Sequence, residues 1–457
     1  MRRHHPTTLI VTVAALVVAT CILGVAPRAS ASAANRDLGH GVSADSIKVG
    51  IAIIDYDSIA DYLDYNHGDQ KAVAQSFVDF INHHGGVGGR KIVPVYKTYA
   101  PIPGRTPNPL SLCTSWAEDD KVFAVLGVFI DFTGEGQKCL TREHHVVHIG
   151  HELEQQWIDE APGGLMLTED STKEGAAKVL VTLLAETGRL KGRKVGVLAT
   201  KNGEPRVNGT ILPALRRNQV ATGSTAILTV TGPYSEATRS QLDAFIEKWK
   251  TDGVDTVFLS GLDVSSKSIV TQIKTAMPKA LLVTDADATL QQARDEVAAG
   301  ARPNPYEGML STTGTTLSER WAKKSPLLQQ CVDIYEKASG TTVPGPEGET
   351  TDSAGKKVQT DVAVSDFCGE LFMFRDIAER VGRDLTVNRW QKTVNGYGSI
   401  DLVPNPISSL CKGKYAANDA FRLVAFSSGL GTSGDWKKVT PIKDASGGQC
   451  TKSVGAG

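Results

Sequence analysis

Apolar positions along the chain switch repeatedly between two periods. Short unbroken runs mark buried strands, and recurrence every three or four residues marks one face of a helix. The run Ser46–Ile54 (SIKVGIAII) reads as a buried strand. Residues 69–82 (DQKAVAQSFVDFIN) set Val73, Phe77, Phe80 and Ile81 at helical spacing, and Gly85 and Gly86 supply the turn that ends this helix. Strands are expected at 91–96, 122–128 and 146–149, with helices at 110–119 and 135–143 between them. The alternation then restarts. Helices at 172–187, 207–218, 235–251 and 266–276 interleave with strands at 194–199, 225–230, Thr256–Ser260 and 280–284. Strands separated by helices of this length build parallel βαβ units, and two successive runs build two lobes. Two later amphipathic helices, 327–338 and 363–381, flank a polar surface loop at 345–355. A last strand at 421–427 and a Gly/Ser turn at 429–436 follow.

Composition narrows the class. A chain of 457 residues is long enough for two or three domains. With 41% apolar and 22% charged residues it is neither disordered nor a multi-spanning membrane protein. The balance of 49 basic against 50 acidic side chains offers no excess of positive charge for a nucleic acid. Aromatic residues, at 6%, are too sparse for a stacking polymer binder.

The N-terminus has the layout of a secretory signal peptide over residues 1–33: Arg2 and Arg3, an apolar stretch from Leu9 to Ala26, then small-residue cleavage patterns at Ala29-Ser30-Ala31 and Ala31-Ser32-Ala33. An uncleaved anchor and a lipid anchor at Cys21 are the rival readings. Thr20 stands where a lipidation motif wants Gly, Ala or Ser. Removing the signal leaves a mature net charge of -4. The expected address is extracytoplasmic, secreted or attached to the cell envelope, where disulfides persist. Six cysteines lie beyond the signal: Cys113, Cys139, Cys331, Cys368, Cys411 and Cys450. Fifteen pairings are open to them. Sequential pairing is expected, because each pair then falls within one stretch of chain; buried free thiols are the other reading.

Several stretches carry a family resemblance. VSADSIKVGIAI, FINHHGGVGGRKIVPVY and EDDKVFAVLG, then GRKVGVLAT, PYEGML, and FRLVAF followed by GDWKKVT, together resemble the branched-chain amino-acid binding proteins of ABC importers. The segment from Ile81 to Ile92 is the most specific, and the likeness runs over about residues 42–440. The resemblance implies an α/β, two-lobe type I periplasmic-binding fold. Each lobe is a parallel sheet flanked by helices, and three crossovers near Thr168, Ser311 and Pro404 form the hinge. Lobe 1 would take residues 42–167 and 311–404, and lobe 2 residues 168–310 and 405–457. It implies no catalysis and no cofactor, a small-molecule ligand, a monomeric chain, and an ABC permease and ATPase as separate partners.

In such sheets ligands sit beyond the carboxyl ends of the strands. That rule selects Asp55 and Tyr56 after the first strand, Phe129 and Asp131 after the third, and His151 and Glu152 after the fourth. From the second lobe it selects Asn202, Asp263 and Asp285. The family holds a ligand carboxylate with a hydroxyl-rich loop after the third strand and an Ala/Ser-x-Thr after the fourth. Here Phe129-Ile130-Asp131 and His151-Glu152-Leu153 stand instead. Asp285 keeps the acidic residue that receives the ligand's ammonium group in the family. The expectation is a cationic or polyhydroxylated solute, since an Asp and a Glu repel a carboxylate.

Other chemistry is set aside. His144, His145, His148 and His151 cluster in sequence, but a strand over 146–149 breaks the spacing a helical metal site needs, so no metal is expected. Residues 85–91 lack the order of a phosphate loop, and no G-x-S-x-G nucleophile elbow occurs. An extracellular sensor acting through a separate protein, and a secreted α/β hydrolase, are the rival functions.

Overall fold

The computed structural model describes residues 38–60, 65–101, 104–229, 234–261, 263–286, 289–348, 350–446 and 450. The signal-peptide reading at 1–33 and the anchor reading at Cys21 lie outside these residues.

Five parallel strands make the first sheet: β1 (Ser46–Ile54), β2 (Lys91–Tyr99), β3 (Ala124–Gly127), β4 (Val147–Ile149) and β5 (Met166–Leu167), in the order β2-β1-β3-β4-β5. The second sheet holds β6 (Lys194–Thr200), β7 (Ala221–Leu228), β8 (Thr256–Ser260), β9 (Leu281–Thr284), β10 (Leu310–Thr313), β11 (Ala420–Ser427) and β12 (Asp435–Lys438), in the order β12-β11-β10-β9-β8-β6-β7. Its first five members in chain order, β6 to β10, are parallel, but β11 runs antiparallel to β10 and to β12. The second sheet is therefore mixed. The helices that position the site are α1 (Gln70–His83), α2 (Lys173–Glu186), α3 (Glu236–Asp252), α4 (Thr289–Ala298), α5 (Pro326–Ser339) and α6 (Thr360–Val381).

The two lobes repeat one packing device. Gly50 of β1 has no room for a side chain, because a Cβ there would stand 2.9 Å from Nε1 of Trp116. Gly196 of β6 faces Trp249 in the same way, at 2.8 Å. Both indoles are fully buried. Each donates across the sheet to the neighbouring edge strand: Trp116 to the carbonyl of Val95 at 3.1 Å, Trp249 to that of Ser224 at 2.8 Å. A large ring lies flat on the sheet only where the strand beneath it is glycine, and the buried N–H must find an acceptor.

Three passes of chain link the sheets and hydrogen-bond to one another. Thr168 donates its backbone N–H to Tyr415 and accepts from Ala417. Asn405 Nδ2 donates to the carbonyl of Glu169 at 2.8 Å, and the Thr315 hydroxyl donates to that of Pro404 at 3.3 Å. Thr168 and Pro404 thus stand in the crossing, while Ser311 lies inside β10 and the second pass comes just after it.

The stretch 345–355, read as a plain surface loop, feeds a small sheet instead. Lys357–Val358 pairs antiparallel with Thr350–Thr351 and parallel with Tyr65–Asn66. Lys357 also reaches Asp295 of α4 at 2.6 Å, and Arg294 of α4 donates to the carbonyl of Pro346. This segment straps the first-lobe strand 65–66 to a second-lobe helix. The disulfides pair sequentially: Cys113–Cys139, Cys331–Cys368 and Cys411–Cys450. The second of these staples α5 to α6. Among the described residues, no helix is long and apolar enough to cross a membrane.

Candidate functional site

The loops after the first-sheet strands divide into structural turns and a polar floor. Asp55 caps the single turn Tyr56–Ile59, accepting the N–H groups of Asp57 and Ser58 at 3.1 and 3.3 Å. Tyr56 follows, its ring centroid 4.9 Å from that of His67, and burial holds its hydroxyl pKa well above the usual value. At the end of β3 the chain turns through Gly127, whose φ of +93° and whose closeness to the Ala52 carbonyl admit no side chain.

Beyond that turn two of the residues selected from the sequence lie inward. Phe129 goes into the core, fully buried between Tyr99, Trp116 and His148 with ring centroids 5.2, 5.7 and 5.5 Å away. Asp131 is 5% exposed and spends its oxygens on its own loop: Oδ1 accepts from the N–H and hydroxyl of Thr133, Oδ2 from the N–H of Gly136 at 2.7 Å.

His151, after β4, is the centre of the floor. Its Nδ1 lies 3.2 Å from Asp170 Oδ2 and its Nε2 2.9 Å from Glu370 Oε1. Glu370, on α6, is 1% exposed and accepts the N–H of Gly127 with its other oxygen. One turn earlier on the same helix stands Asp366. Glu169, 2% exposed, comes from the first crossover. Its carboxylate lies over Gly369, where a Cβ would meet Oε2 at 2.1 Å, so the glycine in mid-helix is the space that admits it. Glu152 stays at the surface at φ +57° and pairs with Lys173 at 3.3 Å.

Four carboxyls around one imidazole set the electrostatics. Burial pushes Glu370 up to about 7, Asp366 up to about 6 and Glu169 well above the carboxylate range, with His151 pulling each of them down. For His151 burial acts downward, but Glu370, Asp170 and Asp366 outweigh it and raise its pKa well above 6.5. His67 and His148, buried without such acids, are lowered to about 3 and about 4.

The second-lobe wall is built on Arg206, which the sequence reading missed. Asp285, at the end of β9, accepts from the Ser260 hydroxyl at 2.9 Å and the Gly261 N–H at 2.8 Å, and Arg206 Nε lies 3.7 Å away. Burial raises the Asp285 pKa, and Arg206 opposes the rise. Arg206 is 5% exposed and also ion-pairs through Nη1 with Glu154, which directly precedes the first-lobe helix Gln155–Glu160. The pair Glu154–Arg206 therefore bridges the lobes. Asn202 is exposed on the turn Lys201–Gly203. Asp263 opens the turn Asp263–Ser265, and its side chain lies outside the described residues.

The structure thus gathers His151 with Glu169, Asp170, Asp366 and Glu370, and Asp285 with Arg206 and Glu154. Only His151 and Asp285 of these were named from the sequence. A signal for two others was present: Asp366 and Glu370 stand four apart within the mostly apolar stretch 362–374 of α6, hence on one face.

The fold is that of the type I periplasmic solute-binding proteins of ABC transporters. A solute-binding protein of an ABC transporter from Rhodopseudomonas palustris BisB5, in complex with 3,4-dihydroxybenzoic acid, superposes with a TM-score of 0.60 at 13% identity over 88% of this chain and 98% of its own. A leucine-, isoleucine-, valine-, threonine- and alanine-binding protein from Brucella ovis, in a closed conformation, gives 0.62 at 13% identity over 88% and 96%. A fatty acid ABC transporter substrate-binding protein from Thermomonospora curvata gives 0.61 at 18% over 89% and 94%. At such identities the likeness is one of fold. The chain matches no family model and no curated protein.

Proposed function

We propose that this chain is an exported solute-binding protein, without catalytic activity, that captures a small polar or cationic molecule between its lobes and delivers it to an ABC permease driven by a separate ATPase. The observation that carries the reading is the meeting of two polar walls at the strand ends. The His151 floor of the first lobe and the Arg206–Asp285 wall of the second come close enough for Glu154 and Arg206 to pair. A ligand that touches both walls favours the closed state, because closure is driven only by contacts made to both lobes at once. Solutes of the fold's neighbours include an aromatic acid and leucine. A bare carboxylate suits this floor poorly, since buried acids repel it, so the expected solute carries positive charge or many hydroxyls. A thermal-shift screen over amino acids, polyamines, amides and sugars tests the reading. A true ligand at a hundredfold excess over Kd stabilises the fold by about 2.7 kcal/mol. Absence of any shift together with turnover of a compound defeats it.

A further inference from the structure

We infer that His151, Glu169 and Asp366 form a site for one divalent transition-metal ion, zinc in kind. The three side chains bring one ligand atom each within 4.8 Å of one another. Zinc takes imidazole nitrogen and carboxylate oxygen as ligands, and one imidazole with two carboxylates leaves a fourth position for water.

Three observations point to an ion rather than to a self-satisfied network. Among the described residues, Glu169 Oε2 is buried with no hydrogen-bond partner, in a residue that is 2% exposed, and it is held in place by the gap at Gly369. His151 Nε2 is likewise buried and makes no hydrogen bond of proper geometry, although the Glu370 carboxylate lies beside it. A buried polar atom left unsatisfied costs about 1–3 kcal/mol, and Glu169 Oε2 is such an atom within the cluster. The third observation is the support behind the imidazole. His151 Nδ1 is engaged by Asp170, so an ion that displaces the Nε2 proton from beside Glu370 meets the lone pair of that nitrogen. A carboxylate fixing the far nitrogen is the arrangement that orients metal-bound histidines and raises their basicity. Charge agrees: Glu169, Asp170, Asp366 and Glu370 crowd one imidazole, and a divalent cation neutralises two of them without protons.

The site is built by one strand end, the first crossover and α6. It needs no solute, so this inference stands or falls apart from the transport role. An ion here ties the crossover to α6, and so to the hinge.

Cobalt(II) as the probe tests it on chelator-treated full-length protein. We expect one cobalt per chain with visible ligand-field absorption, displaced by zinc, and a melting temperature raised by zinc. Glu169→Gln and Asp366→Asn, near-isosteric changes, should each weaken cobalt binding at least tenfold, and Asp170→Asn, which acts through His151, by about 10–100-fold. Near-UV circular dichroism of each variant separates loss of the site from loss of the fold. Lack of absorption in the wild type overturns the inference, as does binding that survives the Glu169→Gln/Asp366→Asn double change. A polyamine arm runs in parallel. If putrescine stabilises the chelated protein and both variants abolish that effect while cobalt fails to bind, the cluster holds an ammonium group. The metal site then falls and the solute reading stands. If cobalt binds and no solute does, the reverse holds.

Discussion

Arg206 Nε lies 3.7 Å from Asp285 Oδ2, on a carboxylate that already accepts two hydrogen bonds. In a chain resembling amino-acid binders, Asp285 was expected to meet the ammonium group of a ligand. Here the protein's own guanidinium stands beside it.

Removing Asp285 from that pair leaves the buried Arg206 with Glu154 and one acid fewer. Asp285→Ala should lower unfolding free energy by on the order of 3 kcal/mol. Combined with Arg206→Met, the loss should be smaller than the sum of the single losses. Urea denaturation of the four proteins measures the coupling, and strict additivity would show that the two groups do not interact.

Glu154–Arg206 is a contact between lobes. Glu154→Gln removes its charge and should shift the ligand-free population toward the open form, raising the radius of gyration and the Kd for the solute. Small-angle scattering of wild type and variant reads this. Identical profiles would mean that other contacts, such as Lys357 with Asp295 at 2.6 Å, hold the lobes.

The glycine–tryptophan device should be sensitive in both lobes. Gly196→Ala places a methyl group 2.8 Å from Trp249 Nε1, and Gly50→Ala one 2.9 Å from Trp116 Nε1. Each should cost about 1–3 kcal/mol by overpacking and should red-shift tryptophan fluorescence as the indole is displaced. Unchanged stability and spectrum would show that the sheet yields instead.

Cys331 and Cys368 close a loop with a sequence separation of 37 between α5 and α6. Loop-closure entropy puts the contribution at about 4 kcal/mol. The double Cys→Ser variant should melt well below the wild type under non-reducing conditions and should match it once both are fully reduced, when neither protein holds a bridge.

His148 is neutral in the core, with its pKa lowered from 6.5 to about 4 by burial. The unfolded chain takes up a proton below pH 6.5 that the folded chain refuses. The stabilising contribution is therefore complete above pH 6.5 and is lost as pH falls toward 4. Glu370 and Asp366, raised to about 7 and about 6, act with the opposite sign: they favour the fold in acid and lose that contribution as pH rises through those values. His148→Phe isolates the first effect. Its stability should fall by about 2 kcal/mol less than wild type between pH 6.5 and pH 5. Equal slopes would place the proton elsewhere.

Much of the architecture was legible because it rests on local periodicity. The strand Ser46–Ile54 and the helix ending at Gly85 and Gly86 can be read from apolar spacing and glycine punctuation. So can the restart of the pattern after residue 167. The pairing of cysteines near in sequence followed from chain continuity. The burial of Phe129 and Asp131 was not legible for a local reason: the positive φ of Gly127 redirects the chain after β3, and no apolar period reveals which way it turns. The hairpin over 350–358 was missed because its pairs are two residues long. They gain their stability from strand 65–66, far away in the sequence.

By itself the sequence determined the alternation of strands and helices, the two-lobe α/β plan and the strand ends where polar residues collect, since each depends on neighbours a few positions apart. Which side chains meet there was decided only by the tertiary structure. Glu169, Asp366 and Glu370 reach His151 because the crossover and α6 are folded against the same strand ends, and Arg206 reaches Asp285 because a helix starts beside β8. Those contacts are governed by desolvation and charge pairing across long stretches of chain, which a one-dimensional pattern does not record.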